Sequence, residues 1–377
     1  MRSAFSAAGT LAVLVALSAT SAALSFPVPR DTGLFRTYAC GPATSAVTID
    51  GRLDDPAWKE APWTDDFLDI QGHTLPAPRL RTRAKMLWDT KYFYVAARLG
   101  EPHVWGKLTE RDAVIYHDND FEVFIDPDGD NHLYYELEIN ALGTEWDLLL
   151  VKPYRDGAPA VNAWDIQGLK TAVHIEGTLN DPSDQDQGWT VEIAIPWEVL
   201  GQCAGRPVPP VAGDIWRVNF SRVQWRTRID QGQYLKLTDQ QTGKNLPEDN
   251  WVWSPQGLIA MHYPEQWGEV LFVGPDFDGN LARALSNSAE HMAIQTGRLL
   301  MDLYYLQRQF HEDHGRFAND LVELDFAPTG LGKTWSLTMD AGMDRFAAQL
   351  VTPDFTITVD EEGQLVRTPL SGRKEQP

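Results

Sequence analysis

The side chains best placed to do chemistry lie in residues 116–150, YHDNDFEVFIDPDGDNHLYYELEINALGTEWDLLL. Tyr135, Leu137, Ile139 and Ala141 alternate with Tyr134, Glu136, Glu138 and Asn140, the two-residue period of a strand. Phe121, Val123 and Ile125 alternate in the same way with Glu122, Phe124 and Asp126. Between them stands Asp126-Pro127-Asp128-Gly129-Asp130, a run of turn formers. The pattern predicts a β-hairpin with one apolar face and one hydrogen-bonding face. Whatever the protein binds is expected to involve that polar face. Asp126, Asp128 and Asp130 present carboxylates at alternate positions, and calcium takes six to eight such oxygens. Asp118 and Asp120 would add oxygens. The turn is not an EF-hand, because Gly129 stands fourth and Leu137 occupies position twelve. A plain acidic turn is the alternative.

These residues need a frame, and the rest of the chain supplies one. Residues 46–273 contain about nine or ten segments of two-residue periodicity and almost no helix, the pattern of an antiparallel β-sandwich. Pro- and Gly-rich loops break it at 70–82, at 152–168 (with Tyr154, Arg155 and Trp164) and at 230–250. Asp55-Pro56-Ala57-Trp58 reads as a short helix with Pro in its first turn. From 280 the period changes. Ala289, Met292, Ala293, Thr296, Leu299, Leu300, Leu303, Leu306 and Phe310 follow helical spacing, and Gly315 stops the helix. Four short strands are expected between 335 and 367. The expected organisation is a leader at 1–25, a lead-in at 26–45, the sandwich at 46–275, an α+β appendage at 280–370 and a disordered tail at 371–377.

The 377 residues carry a formal charge of −21 and no basic block. That excludes nucleic acid and anionic membrane surfaces as expected partners, since both need positive charge. Arg2, the small apolar run 12–23 and Ser21-Ala22-Ala23 read as a secretory signal with a cleavage site, with an uncleaved anchor helix as the alternative; the signal predicts a secreted, periplasmic or cell-surface protein with no membrane contact after cleavage. Export permits a disulfide between the only two cysteines, Cys40 and Cys203, without establishing one. No nucleophile elbow, P-loop or dinucleotide fingerprint appears. A glycosidase needs two flanking carboxyl groups, and no pair stands out among the many.

Four motifs in order, residues 47–58 (VTIDGRLDDPAW), 118–128 (DNDFEVFIDPD), 189–196 (WTVEIAIP) and 216–222 (WRVNFSR), resemble the family 9 carbohydrate-binding modules associated with xylanases. That resemblance implies a β-sandwich of jelly-roll type, related to DOMON domains, with structural calcium. It also implies a non-catalytic module in which two aromatic side chains sandwich a terminal sugar. By position, one aromatic is Tyr116, where Trp would be usual. The second falls to Trp253 or Trp225, with core packing as the alternative for Trp253. Glu136, Glu138, Asn140 and Arg222 would hold the hydroxyls. A solvated face for the glutamates and an ion pair for Arg222 are the alternatives. Stacking and charge-assisted hydrogen bonds of about 1–3 kcal/mol each imply micromolar to millimolar affinity.

Residues 304–324 resemble the helix-to-head junction of pilin-like proteins, which carries an expectation of fold only. A rival function follows from related sandwiches that bind haem through Met and His. Its candidates are Met86, Met261-His262, His103, His117 and His132.

Overall fold

The computed structural model describes residues 26–328 and 332–370. The expected leader and tail lie outside the described residues. The chain opens with β1 (Thr37–Pro42), α1 (Pro56–Glu60), the two-residue β2 (Leu68–Asp69), β3 (Thr82–Trp88) and β4 (Tyr92–Gly100). Next come β5 (Asp120–Asp126), β6 (Tyr134–Asn140), β7 (Glu145–Leu150), the short β8 (Ala160–Val161), β9 (Lys170–Glu176) and β10 (Gly188–Pro196). α2 (Trp197–Leu200) leads to β11 (Ile215–Gln224), the hairpin β12 (Thr227–Asp230) and β13 (Gln233–Lys236), then β14 (Asp249–Val252) and β15 (Gly268–Phe272).

The main strands run in the order β8-β7-β6-β5-β11-β15-β1-β3-β4-β10-β9. β1 joins the two layers: Thr37 to Cys40 pair with β15, and Gly41 and Pro42 pair with β3. Both pairings are parallel, whereas the other pairings among these strands are antiparallel. The expected lead-in therefore supplies a strand of the sandwich. β11 divides its free edge, pairing with β15 over Ile215–Val218 and with β14 over Ser221–Gln224.

The core forms where the alternation predicts. Phe121, Val123, Ile125, Tyr135, Leu137 and Ile139 of the front layer meet Met86, Val95, Leu99, Trp189, Val191 and Ile193 of the back layer. Removing such side chains from water stabilises the sandwich by roughly 1.5–3 kcal/mol each. Cys40 and Cys203 are free thiols, and Cys40 is buried in this core. On the back layer's outer face, Trp58 of α1 donates Nε1–H to Glu192 at 2.6 Å, and the N–H groups of Asp50 and Gly51 donate to the same carboxylate. Gly51 has φ +84°, and a Cβ there would sit 2.6 Å from the Val173 carbonyl carbon. The first motif is thus a clamp on the sheet.

The expected long helix is two helices, α3 (Leu281–Ser286) and α4 (Ala289–His314), the second capped by the Ser288 side chain. Gly315 ends it at φ +67°. β16 (Ser336–Ala341), β17 (Phe346–Val351), β18 (Phe355–Asp360) and β19 (Leu365–Pro369) make an antiparallel sheet in sequence order. Among the described residues no helix is long and apolar enough to cross a membrane.

Candidate functional site

The period-two register fixes the outer face of the front layer. Across β5 and β6, Asp120 stands opposite Asn140, Glu122 opposite Glu138, and Phe124 opposite Glu136. Trp146 of β7 is the cross-strand neighbour of Glu138, and Ser221 of β11 that of Glu122. One row across the sheet therefore reads Trp146, Glu138, Glu122, Ser221. Farther along the strands the face is covered, with Phe124, Tyr134, Leu148 and Leu150 packing under Met261 and Trp267.

The four carboxylates are not a solvated face. Asp120, Glu122, Glu136 and Glu138 are all buried, at 0%, 6%, 5% and 2% exposure. Asp120 Oδ1 accepts from the Val223 N–H at 3.0 Å, and Glu138 Oε2 accepts from the Tyr116 N–H at 2.9 Å. Burial holds all four carboxyls above their ordinary range, and Glu122 is pushed up to about 7. Like charges add to this, since Glu122 acts on Glu136 and Glu138.

Aromatic side chains stand around this row. Tyr116, on a single helical turn at Ile115–His117, is 38% exposed, and its ring centroid lies 6.5 Å from that of Trp146. Tyr154, half exposed, sits edge-on to His262 at 4.5 Å, and Glu136 and Glu138 add to the burial that lifts its hydroxyl pKa to about 12. Trp225 donates Nε1–H to the Tyr116 carbonyl at 2.8 Å, and Lys236 Nζ lies 3.2 Å from its ring centroid. Desolvation lowers Lys236 to about 8. That ammonium occupies one face of the indole, so Trp225 supports Tyr116 and is not an open stacking surface.

Of the residues singled out from sequence, Tyr116, Glu136, Glu138 and Trp225 come together here. Asn140 is on the same face at its end, where it serves the fold. Its amide donates to the Leu108 carbonyl and Asp118, and its carbonyl accepts from Leu142 and Thr144. Trp253 and Arg222 do not join them. Trp253 is 1% exposed in the sandwich core beside Phe220, and a Cβ at Gly268 would meet its ring at 2.5 Å. Arg222 is buried, with Nη2 2.8 Å from Glu101 and Nη1 2.9 Å from the Thr82 hydroxyl. The ion-pair alternative holds, with Glu101 as the partner in place of Glu136 or Glu138. Glu122, Asp120 and Trp146 complete the row. The alternation that marked Glu136 and Glu138 marks Glu122 equally, while Trp146 needed the third strand's register.

The Asp126–Asp128–Asp130 turn lies at the opposite end of β5. One oxygen from each carboxylate lies within 4.8 Å of the others, a spacing that fits a hard cation. Asp126 already accepts from the N–H groups of Gly129 and Asn131, and Asp130 accepts from His132 N–H and the Gln364 amide. The haem candidates occupy unrelated surroundings. Met86 is core, His103 meets the Tyr234 hydroxyl, His132 the Glu362 carbonyl, and His262 the Tyr134 hydroxyl.

A sandwich with aromatic tiles around a buried carboxylate row on one outer face has the architecture of a small-ligand binding module. The particular family follows from comparison: residues 49–273 match the model described as "Carbohydrate family 9 binding domain-like", and the chain belongs to that family. Among curated proteins it is similar to exoglucanase XynX of Acetivibrio thermocellus, 28% identical over 149 residues. It is also similar to endo-1,4-beta-xylanase A of Thermoanaerobacterium saccharolyticum, at 27% over 149 residues. Each match covers 40% of this chain and only 11% of the relative. Among solved structures, a family 9 carbohydrate-binding module from Caldicellulosiruptor kristjanssonii in complex with cellotriose aligns over 65% of this chain and 97% of its own. The TM-score is 0.40 and the identity 15%. A putative carbohydrate-binding protein from Bacteroides uniformis aligns over 63% and 100%, with TM-score 0.45 and 17% identity.

Proposed function

We propose that this chain is an exported, non-catalytic carbohydrate-binding protein acting in polysaccharide breakdown. The observation that carries the reading is the juxtaposition, in a member of this family, of the Tyr116–Trp146 surface with the Glu122–Glu138 row. A pyranose presents an apolar C–H face and a rim of hydroxyls. The C–H face stacks on aromatic rings, and carboxylates accept from the hydroxyls. Tyr154 closes the site from the side of Glu136. The curated relatives are polysaccharide hydrolases by name, which supports a role beside such enzymes. The leader read from residues 1–25 supports export. For the 126–130 turn we propose a structural calcium ion that bridges the hairpin, consistent with the spacing of its three carboxylates.

Calorimetric titration with glucose, xylose, cellobiose and xylo-oligosaccharides tests the reading. Heat with at least one sugar is expected, with dissociation constants in the micromolar to millimolar range. Tyr116→Ala should weaken binding by about tenfold, the worth of one lost stacking contact. No heat with any sugar, with or without calcium, would overturn the proposal. Release of reducing ends from the same sugars would overturn its non-catalytic part.

A further inference from the structure

The register of the back layer gathers cations on the side of the molecule away from Tyr116. The chain has no contiguous basic run and a formal charge of −21. Yet Arg81, Arg83 and Lys85 alternate with Thr82, Ala84 and Met86. Thr82, Ala84 and Met86 are buried toward the core, so the basic set lies on the outer face of β3. Opposite Arg83 on β4 stands Arg98, opposite Arg98 on β10 stands Thr190, and opposite Thr190 on β9 stands His174. One row across four strands therefore reads Arg83, Arg98, Thr190, His174. Arg52 joins its far end, with Nη1 3.4 Å from His174 Nε2.

Like charges directly opposite on neighbouring strands oppose sheet pairing. Two carboxylates relieve the crowding in part. Asp66 accepts from Arg81 Nε at 2.8 and 2.9 Å, and Glu176 pairs with Arg98. The third acid on this face, Glu192, is buried and taken by Trp58, Asp50 and Gly51. Among the described residues Arg83 has no carboxylate within ion-pair distance. Its Cζ lies 4.2 Å from the Trp63 ring centroid, and Lys85 Nζ lies 4.6 Å from the same ring. Burial, then the charge of Arg81, holds the Arg83 guanidinium below its ordinary pKa, and Arg98 pushes the same way. A guanidinium anchored on a ring keeps N–H groups for a second partner, and its fork matches a carboxylate in two parallel bonds. The Arg98–Glu176 pair is open to water, with side chains 47% and 26% exposed. Such pairs contribute little, so a ligand carboxylate exchanges with Glu176 readily. Strands stand about 4.8 Å apart, which gives the row a span of about 14 Å, longer than one sugar ring. Duplex nucleic acid carries one charge per about 1.7 Å, denser than this row matches, and the acidic remainder of the chain repels it.

We infer that the outer face of the back layer, centred on Arg83 and Arg98, binds the carboxylate groups of an acidic, uronate-bearing saccharide, at a site separate from the Tyr116 face. Recognition of a carboxylate rests on the row itself. That a sugar carries the carboxylate rests on the proposed function.

The test titrates the full chain with trigalacturonate by calorimetry, with glucose and a short DNA duplex as comparisons. Wild type should bind trigalacturonate, and raising the salt from about 0.05 to 0.5 M should weaken that binding several-fold. Arg83→Gln and Arg98→Gln should each weaken it by about tenfold, the worth of a lost charge-assisted contact, and leave the glucose titration unchanged. The two substitutions lie on different strands, so one still reports where the other perturbs folding. No heat with trigalacturonate at low salt would overturn the inference, as would wild-type affinity in both variants. Tighter binding of the duplex than of trigalacturonate would overturn the sugar assignment. Uptake of trigalacturonate by a protein that gives no heat with any neutral sugar would support the carboxylate row and count against the proposed function alone.

Discussion

Trp253 lies against Phe220, with the glycine at 268 leaving room for its ring, so it acts through packing. Trp253→Ala should cost about 3–5 kcal/mol, read as a lowered urea midpoint, because the cavity cannot close around a missing indole. Tyr116→Ala should leave that midpoint almost unchanged, since its ring is half out of the protein. Midpoints that respond in the reverse order would show the two roles exchanged. His262 offers a pH test on the covered part of the same face. Burial first, then the Arg155 charge, lowers its pKa from 6.5 to about 3. A histidine depressed in the folded state contributes stability that is full above pH 6.5 and lost as the pH falls toward 3. His262→Gln keeps an acceptor for the Tyr134 hydroxyl. It should flatten the stability profile between pH 6 and 4 by up to about 1.4 kcal/mol per pH unit. Superimposable wild-type and variant profiles would refute the assignment. The polar stripe was legible from sequence because period two leaves no freedom about which residues share a face. The choice between Trp225 and Trp253 was not. It depends on where β11 stops and how the chain returns over it: Trp253 N–H bonds the Phe220 carbonyl, and Trp225 N–H bonds Asn119.

At the level of elements, α4 is docked on the sandwich through charge as well as through apolar packing. Glu269 of β15 accepts from Gln295 and stands in ion-pair contact with His291 and Arg298. Arg206 pairs with Glu290 at the start of the helix. Deeper, Arg155 bonds Glu265 at 2.8 and 3.1 Å and Asp156 at 3.1 Å, while Tyr305 and Tyr304 donate to the same two carboxylates. Such a network is conditional: removing one member leaves its partners charged and buried. Arg155→Met should destabilise by about 3–5 kcal/mol, and adding Glu265→Gln should recover part of that loss. Equal destabilisation in single and double variants would mean that Arg155 acts by packing alone. None of this was visible in the sequence, where Arg155 and Glu265 stand 110 positions apart in two loops. β1 is hidden in the sequence for a related reason. Its six residues end in Gly41-Pro42, and its meaning lies in partners on β3 and β15 that local periodicity does not reveal.

Across the whole molecule, the packing and hydrogen bonds shared by the appendage and the sandwich predict that the two unfold as one unit. The core under β16–β19 is completed from outside by Phe26 and Tyr263, which pack with Leu300, Tyr304 and Tyr305 of α4. The Leu365 N–H of β19 bonds the Asp130 carbonyl, and the Gln364 amide bonds the Asp130 carboxylate, so the acidic turn after β5 is held by the last strand. Residues 26–275 alone would leave Asp156 and Glu265 without Tyr304 and Tyr305, and would uncover Tyr263. Two spectroscopic probes separate the parts. Thirteen of the fourteen tryptophans precede residue 268, so indole fluorescence follows the sandwich, whereas the 26-residue α4 dominates ellipticity at about 222 nm. In urea the two signals should change at one midpoint. In Arg155→Met they should fall together to a lower one, because the shared core still couples α4 to the loop at 258–267. Separate midpoints in wild type would show that the helix unit melts independently, and the buried ion pairs would then be a docking surface and not part of a common core.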